Sequence, residues 1–245
     1  MGTKHPTPAG VTLFTKEGKE NKFLSKSNSR RSIAWGIDTK YMRMRKKKHT
    51  DERILACEEY TRWKNMIAAD KPVYLEIGCG KGDFICGTAQ KFPDMNFIAV
   101  EKIPDVIVTA MEKAKSLDLH NLKFVRTDAR ELADYFASSE ISGIYLNFSD
   151  PWNKRYQHNK RLTHPSFLEI YKKILKPGAK IILKTDNQEF FDFSVKNLSA
   201  SGFTVENLTY NLYESEFLDG NIQTEYEKNF VAQNIAICYL AAVFD

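Results

Sequence analysis

Between residues 72 and 187 the chain alternates five times between a short apolar run and a connecting segment. Each run has the length and composition typical of a buried strand, and several connections carry apolar residues at helical spacing. The runs are "PVYLEIGCG" (72–80), "NFIAVEK" (96–102), "LKFVRTDA" (122–129), "GIYLNFSD" (143–150) and "KIILKTDN" (180–187). Because parallel strands need long crossover connections, this alternation predicts a doubly wound α/β fold with a mostly parallel sheet and helices on both faces.

Two further apolar runs lie near the C-terminus of the chain. They are "TVENLTYNLY" (204–213) and "IAICYLAAVF" (235–244), and no long helix is predicted between them. Two such runs are typical of an antiparallel pair added to the edge of a parallel sheet. We therefore expect seven strands, with an antiparallel strand at the C-terminus.

Charge is distributed unevenly along the chain. The formal net charge is +5, but residues 1–50 hold 13 Lys and Arg against 3 Asp and Glu, so the remaining residues carry a net −5. Residues 1–41 also show little apolar periodicity. We interpret 1–41 as a flexible basic arm or an added extension, and 42–245 as the folded domain. An acidic body must meet a polyanion through local basic patches.

The cysteines and the apolar runs bound the environment of the protein. The four cysteines form no CxxC pair and have no histidine partner at zinc spacing, which favours reduced core thiols and a cytoplasmic location. The longest apolar run, Ile235 to Phe244, is too short to span a bilayer. We expect neither a membrane nor a metal among the partners, and the oligomeric state, monomer or homodimer, stays open.

Acidic side chains lie at the ends of the first four central strands, where ligands of such folds bind. The first strand and its turn read ExGxGxG, and Glu101 follows Gly80 by 21 residues, at the spacing from which a carboxylate can bind two ribose hydroxyls. The residues of this set are Glu76, Gly78, Gly80, Gly82, Glu101, Asp128 and Asp150. They predict a nucleoside site, although each acid could instead be a helix N-cap or a solvated strand end.

The glycine turn favours S-adenosylmethionine over a dinucleotide. The GxGxxG spacing fails because residue 83 is Asp, and Asp83 with Glu76 would place negative charge where a pyrophosphate must lie. A ligand with a sulfonium and an ammonium group would instead be attracted by carboxylates. Asp128 could accept a hydrogen bond from the adenine amino group.

Five segments carry a resemblance to a known family. "LEIGCGKG", "YLNFSDPWNK", "KRL", "KTDN" and "TEYE" occur in the order found in bacterial tRNA (guanine-N7-)-methyltransferases. The resemblance extends from about Met42 to the C-terminus. It implies a Rossmann-like methyltransferase sheet and methyl transfer from S-adenosylmethionine to guanine N7 in tRNA, at position 46 of the variable loop. The implied cofactor is S-adenosylmethionine, and the implied partner is tRNA.

Asp150 is the predicted catalytic residue. Guanine N7 is a neutral lone-pair nucleophile that loses no proton on methylation, so the reaction needs no strong general base. It does create positive charge on the purine, which a nearby carboxylate would stabilise. The resemblance also assigns this aspartate to the active site. The predicted cofactor-binding residues are Glu76, Gly78, Gly80, Glu101, Asp128 and Asp150 itself. Trp152 could stack on a base or could be a core aromatic residue that caps the sheet.

A cluster of bases follows Asp150. Lys154, Arg155, Lys160 and Arg161 are predicted to contact phosphate and sugar, although such a run is often only a solvated face. By resemblance, substrate contacts also come from Lys154 and from Asp186, Thr224, Glu225, Tyr226 and Glu227. The loop departs from the family pattern, because Asn153 replaces the usual proline, and Tyr156 and Gln157 replace an Arg-His pair.

Two other classes of function stay open on the sequence. Methyltransferases that act on exocyclic amines carry an acid-Pro-Pro-aromatic motif at the same strand end, to which "SDPW" is related. A Rossmann-type domain could also bind RNA without catalysis. An NAD-dependent dehydrogenase is disfavoured by the failure of GxGxxG.

Overall fold

The structure, a computed structural model, describes residues 49–64 and 70–245. The expected arm at 1–41 lies outside these ranges. The described residues form a seven-stranded sheet with the order β3-β2-β1-β4-β5-β7-β6. The strands are β1 (Val73–Ile77), β2 (Asn96–Val100), β3 (Leu122–Val125), β4 (Ile141–Asn147), β5 (Leu175–Thr185), β6 (Phe203–Thr209) and β7 (Cys238–Phe244).

The predicted fold class is confirmed, including the antiparallel pair of strands at the edge of the sheet. β7 runs antiparallel to both β5 and β6, whereas β1 to β5 pair in parallel. The last two strands therefore form the predicted antiparallel pair, with β7 next to β5 and β6 at the edge of the sheet. β5 also begins earlier than the sequence predicts, because Leu175 pairs with Ile141 ahead of an irregularity in the ladder.

Helices cover both faces of the sheet. They are α1 (Thr50–Leu55), α2 (Asp83–Lys91), α3 (Pro104–Ser116), α4 (Leu132–Tyr135), α5 (Pro165–Ile174), α6 (Gln188–Ala200) and α7 (Glu225–Ala232). Pro104 and Pro165 begin their helices, where a missing N–H costs no hydrogen bond. The sequence did not predict α7, which has eight residues and separates β6 from β7. None of the helices described is both long and apolar enough to cross a bilayer.

Side-chain alternation along the strands divides the core into two layers. On β2, Ile98 faces the layer that contains Phe190 of α6, whereas Phe97 faces the layer that contains Ile107 of α3. All four cysteines of the chain lie in the described residues, buried and without a disulfide bond. Burial raises the pKa of the Cys86 thiol to about 12, which keeps it protonated.

The centre of the sheet determines where a ligand can bind. β1 lies between β2 and β4, so the chain winds outwards in one direction from β1 and in the other from β4. In open α/β sheets this point of reversal leaves a crevice beyond the carboxyl ends of the two central strands. The ends of β1 and β4 carry the glycine turn and the Asp150 segment.

Candidate functional site

Three glycines shape the turn after β1. Gly78, Gly80 and Gly82 have φ angles of 80°, 57° and 82°, in the left-handed region that favours glycine. A Cβ added at Gly78 or Gly80 would meet no heavy atom within 4 Å, whereas one at Gly82 would lie 2.7 Å from the Cβ of Ala110. The first two glycines therefore leave space on the cleft side, and the third allows the turn to pack closely on α3.

Glu76 and Asn147 form a buried polar pair at the base of the cleft. Glu76 Oε1 accepts a hydrogen bond of 2.9 Å from Asn147 Nδ2. Glu76 Oε2 and Asn147 Oδ1 are both buried without a hydrogen-bond partner among the described residues. Both residues line the cleft. Two unpaired acceptor oxygens favour a ligand that brings hydrogen-bond donors or positive charge.

Burial also changes the charge state of Glu76. Loss of solvation raises the pKa of Glu76 to about 7, against the opposing effects of the Asn147 hydrogen bond and the Lys184 charge. Sequence reasoning identified Glu76 but missed Asn147. The available signal was the polar residue at the end of an otherwise apolar strand, three residues before Asp150.

Glu101 lies beside the glycine turn, where the sequence predicted it. Its Oε1 accepts hydrogen bonds of 2.8 and 3.0 Å from the N–H groups of Lys102 and Ile103. Its Oε2 accepts one of 3.4 Å from the N–H of Gly80. These backbone donors hold the carboxylate at the end of β2, with the weakly bonded Oε2 on the side of the turn.

Asp128 and Asp83 both have partners within the protein. Asp128 caps the short 3₁₀ segment that follows β3 through a 3.1 Å bond from the Arg130 N–H, and it also pairs with the Arg130 guanidinium. The N-cap alternative is thus observed for Asp128. Asp83 forms an ion pair with Lys113. Its negative charge is balanced, so it no longer supports the argument against a pyrophosphate.

Asp150 follows β4 in an irregular turn. Phe148 and Trp152 flank it with φ angles of 49° and 44°, both in the left-handed region. The Phe148 N–H donates to the Lys184 carbonyl at 2.8 Å, which extends the β4–β5 pairing by one residue. Asp150 is exposed, and the structure gives its carboxylate no ion pair with the described residues.

The aromatic side chain of this turn is Trp152. It is half-buried and lies outside both core layers of the described residues, which disfavours the interpretation as a core aromatic residue. Lys160 Nζ lies 4.7 Å from the centroid of the Trp152 ring, within the range of a cation–π contact.

The cluster of bases separates into exposed and buried members. Lys154, Arg155 and Lys160 are exposed around a 3₁₀ segment, Arg155–Lys160, as a phosphate contact requires. The prediction for Arg161 needs correction. Its side chain is 1% exposed, and its guanidinium donates to the Pro151 carbonyl at 2.7 Å and to Glu189 Oε1 at 2.8 Å. Arg161 is therefore enclosed by protein and presents no cation to RNA.

The "TEYE" segment forms the first turn of α7 and a wall of the cleft. Thr224 caps the helix, and the side chains of Thr224 and Glu227 form a reciprocal capping box. Glu225 pairs with Lys81 of the glycine turn at 2.9 Å, and Tyr226 is 62% exposed. Thr224, Glu225 and Tyr226 line the cleft. The segment therefore connects the glycine turn with the end of β4, since Asn147 and Phe148 line the same cleft.

Glu227 does not share this position. It is fully buried and accepts hydrogen bonds from Lys184 Nζ at 2.6 Å, Tyr213 Oη at 2.9 Å and Asn221 Nδ2 at 2.6 Å. These bonds occupy its carboxylate. The prediction that Glu227 contacts substrate is therefore corrected to a structural anchor beneath the cleft.

Asp186 lies at the end of β5, next to the strand that carries Asp150. Asp186 is exposed, but nearby protein atoms partly desolvate its carboxylate and raise its pKa.

Among the residues that the structure describes, no group of three or more His, Cys, Asp or Glu is placed to hold a metal ion.

Comparison with known proteins identifies the family. The sequence profile described as "Putative methyltransferase" matches residues 70–240. The tRNA (guanine-N(7)-)-methyltransferase of Geobacillus kaustophilus is 40% identical over 211 residues, which cover 82% of this chain and 97% of the relative. The enzyme of the same name from Listeria monocytogenes is 42% identical over 183 residues, which cover 75% and 85%.

A solved structure supports the fold alone. The 16S rRNA methyltransferase KamB superposes with a TM-score of 0.57 at 14% sequence identity, over 75% of this chain and 92% of that chain. At that identity the likeness concerns only the arrangement of sheet and helices. The family is shown by the closer sequence relatives. On these matches, the chain belongs to the tRNA (guanine-N(7)-)-methyltransferase family.

Proposed function

We propose that this protein transfers the methyl group of S-adenosylmethionine to N7 of guanine in tRNA, at position 46 of the variable loop. The observation that carries the proposal is that Asp150 is exposed directly after β4. β4 pairs with β1, and the glycine turn that follows β1 lines the cleft. Membership of the family supports the substrate and the reaction.

The cleft suits S-adenosylmethionine on the chemistry of its lining. The unpaired Glu76 Oε2 and Asn147 Oδ1 are acceptors for the ligand's ammonium group. Gly78 and Gly80 leave room for close approach of the ligand to the backbone, and Glu101 at the end of β2 would hold the ribose hydroxyls. Asp128 would bind the adenine amino group after it releases Arg130. When bound, S-adenosylmethionine supplies an electrophilic methyl group on a sulfonium.

Asp150 acts through charge and position. Guanine N7 attacks with its lone pair, so no residue has to remove a proton. Methylation of N7 would leave positive charge on the purine ring. The Asp150 carboxylate stabilises this developing charge and helps to orient the base.

The exposed side chains around Asp150 bind the tRNA. Lys154, Arg155 and Lys160 contact phosphates, and Trp152 and Tyr226 provide aromatic planes for an extruded base. Asp186 can accept hydrogen bonds from the N1–H and the amino group of guanine, which adenine cannot donate in the same pattern. A tRNA substrate supports a cytoplasmic location for the enzyme.

A single experiment tests the reaction and its position. The protein is incubated with methyl-labelled S-adenosylmethionine and an unmodified tRNA transcript, and in parallel with a transcript in which adenine replaces the guanine at position 46. We expect label only in the first transcript, at a site that is cleaved by chemistry specific for 7-methylguanosine.

Two results would contradict the proposal, and each would indicate a different alternative function. Label that resists this cleavage would indicate an exocyclic amine or another base as the acceptor. Retained tRNA binding without consumption of the methyl donor would indicate a non-catalytic RNA-binding protein.

A further inference from the structure

Arg161 is a fully enclosed cation in a loop whose other Lys and Arg side chains are exposed. Its side chain is 1% exposed, whereas Lys154, Arg155 and Lys160 lie on the surface. Its Nε donates to the Pro151 carbonyl at 2.7 Å, and its Nη2 donates to Glu189 Oε1 at 2.8 Å. The two nitrogens of one rigid fork thus join two separate parts of the chain.

The second partner is fixed on a helix. Glu189 lies in the first turn of α6, which Asn187 caps through a 2.8 Å bond to the Phe190 N–H. The Arg161 guanidinium also lies 4.6 Å from the Phe193 ring centroid and 5.8 Å from that of Phe190. These contacts favour one orientation of the planar group. α6 therefore acts as the support against which Arg161 holds its first partner.

The first partner lies inside the segment that carries Asp150. The proline ring fixes φ of Pro151, and capture of its carbonyl by Arg161 fixes the peptide plane between Pro151 and Trp152. Trp152 has a φ of 44°, a conformation that a non-glycine residue keeps only where surrounding contacts impose it. Upstream, the Phe148 N–H is held by the Lys184 carbonyl. The segment 149–152 is thus fastened at both ends.

We propose that Arg161 is a positioning residue, whose bonds to Pro151 and Glu189 hold the turn that presents Asp150 and Trp152 to the methyl acceptor. The catalytic consequence rests on the proposed function. Lysine cannot replace Arg161 in this role, because one ammonium on a flexible stem does not span a backbone carbonyl and a carboxylate with fixed geometry.

A kinetic comparison separates positioning from phosphate contact. We expect Arg161→Lys to lower kcat about 100-fold, since a small misplacement of a reacting group has effects of this size. The KM for tRNA and its dependence on salt should stay close to the parent values. The matched variant is Lys160→Gln, at the adjacent exposed base. It should raise the KM for tRNA and reduce the log–log salt slope by about one, as loss of one phosphate contact predicts.

A spectroscopic measurement tests the turn without reference to activity. The chain contains three tryptophans, so 5-fluorotryptophan gives few ¹⁹F resonances, and Trp152→Phe and Trp63→Phe assign two of them. Arg161→Lys should shift or broaden the Trp152 resonance and leave that of the core residue Trp63 unchanged. If Arg161→Lys does not fold, Glu189→Ala takes its place, because the Glu189 side chain is 62% exposed and its removal takes away one of the two hydrogen-bond partners that orient the guanidinium.

The outcomes distinguish this inference from the proposed function. An unmoved Trp152 resonance, or a loss confined to KM with a reduced salt slope, would overturn the positioning role of Arg161. Failure of the parent protein to methylate any tRNA would overturn the proposed function. In that case the ¹⁹F shift would still decide whether Arg161 holds the turn.

Discussion

Lys184 and Glu227 form an ion pair of 2.6 Å, and their side chains are 3% and 0% exposed. The pair connects β5 of the sheet with α7, the helix whose first turn lines the cleft. Lys184 Nζ also donates to Asn221 Oδ1 at 3.0 Å and to the Ile222 carbonyl at 2.9 Å, so its three hydrogens are used. Burial lowers the pKa of Lys184, and the Glu227 charge opposes that effect. The pair fixes α7 on β5.

Removal of one partner should destabilise the protein strongly. Glu227→Ala leaves the Lys184 charge buried and unpaired, and we expect a loss of about 3–5 kcal/mol in the free energy of unfolding, measured by urea denaturation. The matched control is Glu225→Ala, which breaks the exposed pair with Lys81 on the same helix turn and should cost about 1 kcal/mol or less. Equal stability of the two variants would contradict an anchoring role for Glu227.

The same pair shows why the sequence predicted some elements and missed others. The strands of the sheet were predictable because apolar runs such as that of β2 are buried on both faces. α7 has eight residues, and its stability depends on Glu227 meeting Lys184, 43 residues away. No local pattern contains that contact, although the spacing of Thr224 and Glu227 was a capping-box signal for a helix start.

The same limit applies to the cluster of bases. Lys160 and Arg161 are adjacent and chemically alike, yet one is exposed and the other is enclosed. The difference arises from the bonds of Arg161 to Pro151 and Glu189, which local sequence does not encode. The position of Asp150 directly after a strand was predictable, because the end of an apolar run marks the end of a buried strand.

The glycine turn provides a test in which two similar substitutions have different effects. Gly82→Ala would place a Cβ 2.7 Å from that of Ala110, at a φ of 82°, so we expect strain and overpacking to lower the free energy of unfolding by about 2–4 kcal/mol. Gly80→Ala meets open space, and its cost should be about 1–2 kcal/mol from the left-handed backbone alone.

Affinity for the nucleoside ligand should show the opposite order, with the larger effect at Gly80. The methyl of Gly80→Ala enters the cleft side of the turn, so this variant should lose affinity for S-adenosylhomocysteine in calorimetric titration. Gly82→Ala, assayed at a temperature where it stays folded, should bind more tightly than Gly80→Ala. The reverse order would show that the space at Gly80 is not used by the donor.

The raised pKa of Glu76 predicts how stability depends on pH. The pKa is about 7 in the folded state against an ordinary value of 4.5, because burial disfavours the carboxylate. Between these values the unfolded state has lost the proton that the folded state keeps. The contribution of Glu76 is therefore fully present below about pH 4.5 and is lost as the pH rises through about 7.

Glu76→Gln isolates this effect from those of other titrating groups. The variant cannot ionise, so its stability relative to the parent should increase by about 2–3 kcal/mol between pH 5 and pH 8. Urea denaturation at both pH values measures the difference. Donor binding should also release protons from the parent near pH 7 and not from the variant, which calorimetry in two buffers of different ionisation enthalpy detects. A pH-independent difference in stability would show that Glu76 is ionised throughout.

Asp150→Asn should separate charge from structure at the catalytic turn. Asparagine keeps the shape of the side chain, and Asp150 is exposed with no ion pair to lose among the described residues, so the melting temperature should match that of the parent. The amide can still orient a base, but it cannot balance the positive charge that develops on the purine. We expect kcat for tRNA methylation to fall by a factor of about 10²–10³, the range found when one electrostatic contact to a transition state is removed. Single-turnover measurement with saturating donor is the appropriate assay, because it excludes product release. Retention of the parent rate by Asp150→Asn would show that the carboxylate charge has no part in the chemical step.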